Sequence, residues 1–530
     1  MKFLNKIELL PVYLTSIALL LLSLNLSGLI SLDTFNVKES HVDIDFYDNV
    51  SYSENGEISV LNPDLEIYTS LDGGESFGPS GNSIDLAEYR NENIINYPSS
   101  WRWYVPHWDQ KECPSLNLIL YNEKKDIRSQ EVFEVQSNKS NLDQVSISIP
   151  ESQFVGYQEG INVLGHHGDN IDGFSEAWFY RDANFRQRGA EWEKSSFVSL
   201  QEDGKTVFNQ KCGIKISGNA TRGFGQKSFK LYARKNYGSE QFKGEVFEGQ
   251  NEATSFVLRS SGNDNTKTLF ADLLMNQLAE GSKVKIQKGK RVEVFINGNY
   301  WGIYNLRERI SIYNLALEFE EKYEKITLLE NGAAELKDGL IEEHTAFHEM
   351  LNSIESKEML SDQDVKSLKD EIHFKSFIDY IFFQTYYGNN DWPHNNTICY
   401  KVKNKPWKWM LNDLDYSLAY PGDENVNYNV FEHLKSGDTY LGTIFCGLMT
   451  NEKFKEKFVQ RCEELLESNL SDSRINKVYT DNKNELEEHV DAHINRWRIF
   501  TKSEWNENCQ KNLDFLLTRK SIYREQLNKL

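Results

Sequence analysis

A chain of 530 residues is too long for one hydrophobic core, so its length alone calls for more than one domain. Its hydrophobic content of 39%, with 13% aromatic residues, excludes wholesale disorder. A formal net charge of −21 excludes a protein that works by non-specific attraction to nucleic acid or to an anionic membrane surface.

Residues 1–33 form the first recognisable segment. Lys2 and Lys6 precede a charge-free span from Leu9 to Leu32, densest at "IALLLLSLNLSG", with small residues at Ser27 and Gly28. A basic start, an apolar middle and a small-residue end fit a secretory signal. The span is also long enough to cross a bilayer as a helix, although Pro11 and Asn25 weaken the anchor reading. The expectation is export to the cell surface or the extracellular space, with membrane contact only through this segment. Six cysteines (Cys113, Cys212, Cys399, Cys446, Cys462 and Cys509) are widely scattered without a C-x-x-C pair. That spacing argues against zinc and leaves disulfides and buried free thiols both open.

Residues 38–150 read as short strands: "HVDIDFY", "LEIYTSL", "LNLILY", "EVFEVQ" and "QVSISI". Turn formers such as Asp72-Gly73-Gly74 and Gly78-Pro79-Ser80-Gly81 separate them. This is the pattern of an N-terminal all-β sandwich. Its "WRWYVPHW" cluster (Trp101, Trp103, Trp108) is a candidate glycan-stacking platform, although such clusters more often pack inside a core or at a domain interface.

Residues 151–310 are also strand-rich. "CGIKISG" and "QKSFKLYAR" alternate around the loop "NATRGFG", and a helical pattern follows at "TKTLFADLLMNQLAE". The stretch "KRVEVFINGNYWGIYNLRERI" reads as a hairpin turning at Asn297-Gly298. From residue 311 to 530 the period becomes helical, as in "HTAFHEMLNSI", "HFKSFIDYIFFQTYY", "EKFKEKFVQRCEELLES" and "NKNELEEHVDAHINRW". The "GHHGDN" stretch, with His166 and His167, reads as a turn bearing surface histidines rather than a metal site, because adjacent residues of a strand point apart.

One stretch interrupts the helices: "NNDWPHNNTICYKVKNKPWKWMLNDLDYSLAY", residues 389–420. Asp391 follows a strongly apolar helix, and Asn396 lies five residues on, the offset of the Asp and Asn in a kinase catalytic loop. "TICYKV" and "WKWML" then form a hairpin that returns the chain and delivers Asp413-Leu414-Asp415 beside Asp391. Phosphoryl transfer needs such a set: an Asp to orient the acceptor, and an Asn and a second Asp to hold a divalent metal. Asp, Asn and Pro are also the commonest turn residues, so the residues alone leave a plain loop as the alternative.

Assembled, these segments resemble the CotH family, the spore-coat-protein-H type of atypical, protein-kinase-like proteins. The carriers lie between about residues 150 and 500: "NFRQRGAEWEKSSFVSL", "KCGIKISGNATRGFGQKSFKLYARKNYG", "LRSSGNDNTKTLFADLLMNQLA", "EVFINGNYWGIYNLRERI" and the 389–420 stretch. The preceding sandwich, with "LEIYTSLDGGESFGPSG", is similar to chitobiase-like modules. The resemblance implies an α+β, bilobal kinase-like domain with a β-rich lobe (151–310) and a helical lobe (311–530). It further implies ATP with Mg2+ or Mn2+ and transfer of phosphate to Ser or Thr of protein partners at the cell surface or coat. Carried over by position, Asp391 would be the catalytic Asp, Asn396 and Asp413 metal ligands, and Asp415 a further ligand. His394 in D-x-x-H-x-N would buttress the loop.

In "QKSFKLY", Lys227 shares the more apolar strand face with Phe229 and Leu231, which makes it the first candidate for a phosphate-binding cation. Lys230, on the other face, is the second. Asp272, or alternatively Glu308, would be the acidic partner of that lysine. Gly218, Gly223 and Gly225 with Arg222 would cover the phosphates, a glycine-bearing turn being the plain alternative. The chain has no HRD triplet, no D-F-G and no G-x-G-x-x-G-x-V loop. An inert surface-binding or adhesion protein on the same scaffold is the competing function. A glycosidase is a poor third, since no carboxylate pair stands out as its acid and nucleophile.

Overall fold

The computed structural model describes residues 30–31, 42–43, 49–52, 57–70, 72–85, 97–102, 104–106, 115–122, 127–134, 140–169, 177–420, 422–436 and 438–530. Almost all of the 1–33 segment, together with Trp103, Trp108 and Cys113, lies outside the described residues, so the expectations placed on them are untouched.

The strand-rich start forms two sheets. One comprises β1 (Ile30–Ser31), β2 (Val42–Asp43), β5 (Glu66–Ser70), β6 (Ser76–Gly81), β8 (Ser115–Asn122) and β9 (Ile127–Glu134), in the order β1-β6-β5-β8-β9-β2. The other comprises β3 (Val50–Tyr52), β4 (Glu57–Val60) and β7 (Ser83–Asp85). Ile58 and Ile84 from the small sheet share a buried cluster with Ile67, Leu118 and Leu120 from the large one. Alternating apolar residues thus supply one face of each sheet to a common core.

A closed barrel follows: β10 (Asp143–Ser148), β11 (Lys194–Glu202), β12 (Lys205–Ile216), β13 (Phe229–Tyr232), β16 (Ser255–Arg259), β17 (Gly289–Ile296) and β18 (Asn299–Glu308). Its order is β10-β11-β12-β13-β16-β18-β17, closed by the parallel pairing of β10 with β17. A separate hairpin, β14 (Phe242–Phe247) and β15 (Gln250–Ala253), sits between barrel strands in the chain. The "QVSISI" strand, assigned from sequence to the sandwich, belongs instead to this barrel as β10, in register with Val198 and Val294 on its two sides. Alternation identifies a strand but does not say which sheet it joins. The β17–β18 hairpin turns at Asn297 and Gly298 as expected, both with positive φ (46° and 77°), the conformation a two-residue primed turn requires.

The barrel interior holds Val145, Val198, Ile214, Phe229, Leu231, Phe256, Leu258, Val292 and Leu306, all buried. Helix α1 (Glu151–Val155) adds Phe154, whose ring meets Trp301 edge-on at 5.3 Å.

Beyond the barrel the described chain is mainly helical. Helix α2 (Ala271–Leu278) lies between β16 and β17 in the chain, and after β18 come α3 (Ile312–Glu318), α4 (Ile341–Glu355), α5 (Asp362–Glu371), α6 (Phe374–Tyr387), α7 (Val430–Ser436), α8 (Tyr440–Met449), α9 (Glu452–Glu467), α10 (Asp472–Glu487), α11 (Val490–Trp497) and α12 (Lys502–Leu527). A four-stranded sheet lies among them: β19 (Ile326–Glu330), β20 (Glu335–Asp338), β21 (Ile398–Val402) and β22 (Lys408–Met410), in the order β20-β19-β21-β22. The fold is therefore mixed α+β. Helix α6 is buried from Ser376 to Tyr387 and forms the axis of the helical core. Two helices differ from the sequence expectation. "TKTLFADLLMNQLAE" becomes helical only at Ala271, because Leu269 adopts a positive φ of 73°. "NKNELEEHVDAHINRW" is split between α10 and α11 at Glu488–His489. The five described cysteines are free, and all but Cys446 are buried.

Helix α11 folds back onto the barrel. The Ile303 amide donates to His493 Nδ1 (3.1 Å), and Trp497 Nε1 donates to the Trp301 carbonyl (2.9 Å). Burial lowers the His493 pKa from 6.5 to about 3, so this imidazole is neutral and accepting. The folded state therefore binds fewer protons here than the unfolded chain, and the stability contributed is lost as pH falls from about 6.5 towards 3. The expected result is that urea unfolding midpoints fall between pH 7 and pH 4.5, with a His493 share of at most about 1.4 kcal/mol per pH unit. His493→Gln should flatten that slope; an unchanged slope would remove His493 as its cause.

Candidate active site

Helix α6 aims the first functional loop. It ends at Gly388, whose left-handed φ of 69° turns the chain, and the Asn389 side chain caps the turn by accepting from the Asp391 amide (3.1 Å). Asp391 then accepts from two amides of its own loop: Asn396 Nδ2 to Oδ2 (2.7 Å) and Asn395 Nδ2 to Oδ1 (2.9 Å). The five-residue offset thus brings Asp391 and Asn396 side by side, with Asn396 itself in a left-handed conformation (φ 61°) that Asn tolerates well. His394 is exposed, its ring 5.6 Å from that of His433, and its carbonyl accepts from the Gly332 amide. A backbone strut of this kind is a loop-holding contact.

The β21–β22 hairpin forms as expected, with Ile398 opposite Met410, and returns the chain to the same region. The Asn390 amide donates to the Tyr416 carbonyl (3.1 Å), and the Leu418 amide to Tyr387 (2.8 Å). The chain neighbours of Asp391 and Asp415 are therefore hydrogen-bonded, while among the described residues no hydrogen bond joins Asp391 to Asp413 directly.

Asp413, in a left-handed conformation (φ 50°), and Asp415 converge on one guanidinium. Arg259, the last residue of barrel strand β16, uses Nη2 to bind Asp413 Oδ1 and Asp415 Oδ2 (2.6 Å for the latter), and its Nε lies 3.6 Å from Asp272 Oδ2. Asp415 is buried and also accepts from the Asn263 amide (2.9 Å) and from Asn263 Nδ2 (3.0 Å). Gly262 makes this approach feasible: a Cβ there would lie 1.8 Å from Asp415 Oδ2, and its φ is +60°. Burial, and then the neighbouring Asp413, push Asp415 well above the ordinary carboxylate pKa, with Arg259 opposing them. Burial alone would lower Arg259, but Asp413, Asp415 and Asp272 together hold it above its usual value.

Asp272 opens helix α2 and is buried. Arg307 Nη1 donates to it (2.9 Å), as do Asn276 Nδ2 (2.9 Å) and the Leu414 amide (3.3 Å). Burial would raise its pKa, but Arg307 and Arg259 bring it below the ordinary value. It therefore braces the barrel, the helix and the Asp413–Asp415 turn, and its partners are arginines rather than either lysine of β13. Glu308 ends β18 just before α3, the place of a hinge, and its nearest cation is Lys285 (3.7 Å).

The candidate cations require a correction. Lys227 is fully buried; its ammonium donates to the carbonyls of Ser99 and Phe224 (2.7 Å for Phe224) and lies 4.1 Å from the Phe185 ring centre. It packs away from the carboxylates. The apolar face of β13, read from sequence as facing a cleft, is the barrel interior of Phe229 and Leu231. Arg222 is likewise committed, donating to the carbonyls of Gly218, Phe185, Gln187 and Ile216 at 2.7–3.1 Å. The Ser100 and Ser99 hydroxyls bind the carbonyls of Gly223 and Gly225, so the glycine loop is an internal brace rather than an open phosphate cradle.

Lys230 is on the outer strand face. It pairs across the sheet with Val257, which pairs with Arg307, so it shares its face with the arginine that holds Asp272. It forms no ion pair among the described residues; burial, and then the nearby cations Arg309 and Lys337, lower its pKa to about 8. Lys337 lies on β20, whose hairpin is tied to the catalytic-loop candidate by Asn331 N to Thr397 O and Gly332 N to His394 O.

The CotH kinase protein family model matches residues 214–523, more than half of the chain. The chain belongs to the CotH kinase protein family. No curated protein matches it. The matched region spans every residue of the carboxylate cluster, including Arg259, Asn263 and Arg307, which the sequence patterns did not single out. Arg259 and Asn263 did lie inside "LRSSGNDNTKT", where an Arg closing a strand before a Gly-Asn-Asp turn was the available signal.

Asp413 and Asp415 are hard oxygen donors of the kind a divalent cation takes. Three carboxylates (Asp413, Asp415, Asp272) face two guanidiniums (Arg259, Arg307), a formal excess of one carboxylate that the upward push on Asp415 offsets in part. Among the described residues no group of three or more His, Cys, Asp or Glu side chains is placed to hold a metal by itself. A cation here would draw on Asp413 and Asp415 together with amide and phosphate oxygens.

Proposed function

We propose that the protein is an exported kinase that transfers the γ-phosphoryl group of ATP, with Mg2+ or Mn2+, to Ser or Thr of surface or coat proteins. The observation that carries this reading is the pairing of Asp391 with Asn396 in one loop, laced by backbone hydrogen bonds to the turn that presents Asp413 and Asp415. Asp391 would orient the acceptor hydroxyl and take its proton. Asp413 and Asp415, with Asn396, would hold the cation, which neutralises charge on the triphosphate. Lys230, on a barrel strand and without a carboxylate partner among the described residues, would bind the phosphates in place of Lys227. The fold would then be bilobal, with the barrel above the helical core and the N-terminal sheets as an added sandwich. That module is a candidate glycan contact. Among the described residues no helix is long and apolar enough to cross a membrane.

Thermal unfolding with and without nucleotide tests the reading. ATP with Mn2+ should raise the wild-type midpoint, because a ligand selective for the folded state stabilises it, by about 2.7 kcal/mol at a hundredfold excess over Kd. Lys230→Ala should lose most of that shift and Lys227→Met should keep it per molecule folded. A wild type that neither shifts nor incorporates labelled phosphate, yet binds glycan or surface protein, would establish the adhesion reading instead.

A further inference from the structure

A groove of about 620 Å³ lies away from the carboxylate cluster, between α5, α6 and α9. Its floor is apolar, formed by Phe374, Ile378 and Phe454. Six cations line it against two carboxylates, Asp362 and Glu464, in a protein whose net charge is −21. Part of that charge is already matched: Lys453 pairs with Asp362, and Arg461 pairs with buried Asp379 and with Glu464. Lys366, Lys369, Lys375 and Lys457 are exposed and form no ion pair among the described residues. An isolated lysine is ordinary surface, whereas four unmatched lysines around an apolar trough in an acidic protein form a local field opposite to that of the whole molecule.

We propose that this groove docks an acidic segment of the acceptor protein, carrying apolar side chains among its carboxylates. The concave apolar floor fits the side chains of a peptide lying between helices better than the plane of a membrane, and the rim supplies the complementary charge. The assignment of the occupant as acceptor rests on the kinase reading. Its geometry is set by α6, which begins in the groove at Phe374 and Lys375 and ends four residues before Asp391. Fourteen helical residues span about 20 Å, so an extended acceptor would carry its Ser or Thr roughly six or more residues from the acidic segment.

Fluorescence anisotropy with the full chain and a labelled peptide of alternating Glu and Leu/Phe residues tests this without requiring catalysis. The expected result is saturable binding that weakens as salt rises, since exposed charges beyond about 10 Å are screened at 0.1 M. The charge reversal Lys366→Glu/Lys369→Glu/Lys375→Glu should weaken it by about tenfold or more, with an unchanged unfolding midpoint. Asp413→Ala should bind the peptide like wild type, since the groove lies apart from the carboxylate cluster; wild-type binding without phosphotransfer to the same peptide extended by a Ser/Thr segment would sink the kinase reading and leave the groove standing. Absence of saturable binding, equal binding by the charge-reversed variant, or lysine-dependent binding of phosphatidylserine vesicles without peptide binding would overturn the proposal.

Discussion

Asp413→Ala is expected to reduce phosphate transfer from ATP by about two to three decades or more, the usual cost of removing a preorganised electrostatic partner of developing charge. The fold should survive. Asp413 is one of three carboxylates around Arg259, its side chain is 33% exposed, and Asp415 and Asp272 would still hold the guanidinium. The metal-dependent rise in unfolding midpoint should disappear with the activity. Asp391→Ala provides the contrast. Its partners are Asn395 and Asn396, and it makes no contact with Arg259 among the described residues. It should lose transfer to a similar degree and keep the nucleotide- and metal-dependent stabilisation. Radiolabel incorporation and thermal melts on the two variants separate the roles. Equal loss of both signals in Asp391→Ala would mean that it holds the cation rather than orienting the acceptor.

The parts of this site that could be read in the sequence are those fixed locally. The offset from Asp391 to Asn396, the turn chemistry at Asn297-Gly298 and the return of the hairpin to Asp413 each depend on fewer than about thirty consecutive residues. What escaped depends on closure. Which face of "QKSFKLY" points inward is decided by the neighbouring strands β12 and β16, and closure made its apolar face the barrel core. Lys227 therefore became an internal donor, and Lys230, the more polar choice, was left outside. Arg259 was illegible for the same reason, because its three carboxylate partners arise from α2 and from a turn more than 150 positions away in the chain. Sheet membership of "QVSISI" needed the β17 partner, which no pattern in its own residues discloses.

Arg259 carries the second large expectation. Replacing it with Met keeps the stem's bulk but leaves Asp272 one cation, Arg307, among the described residues and strips Asp413 and Asp415 of their shared cation. Breaking a buried ion pair from one side typically costs about 3–5 kcal/mol; the lower end is expected here, since Asp413 is partly solvated. Most of the loss should come from Asp415, which is buried and already pushed towards its protonated form. Two consequences distinguish this from simple loss of packing. Stability of Arg259→Met should recover as pH falls from neutrality, because a folded-state pKa raised above the unfolded value gives stability that is present at low pH and lost as pH rises through it. Mn2+ should also restore the unfolding midpoint of Arg259→Met by more than it raises the wild type, since a cation then answers the same charge. The double variant Arg259→Met/Asp415→Asn should be more stable than Arg259→Met alone, a coupling of about 1 kcal/mol or more between contacting groups. If the double variant is instead less stable by the sum of the two single losses, the guanidinium is packing the barrel edge and the charge argument fails.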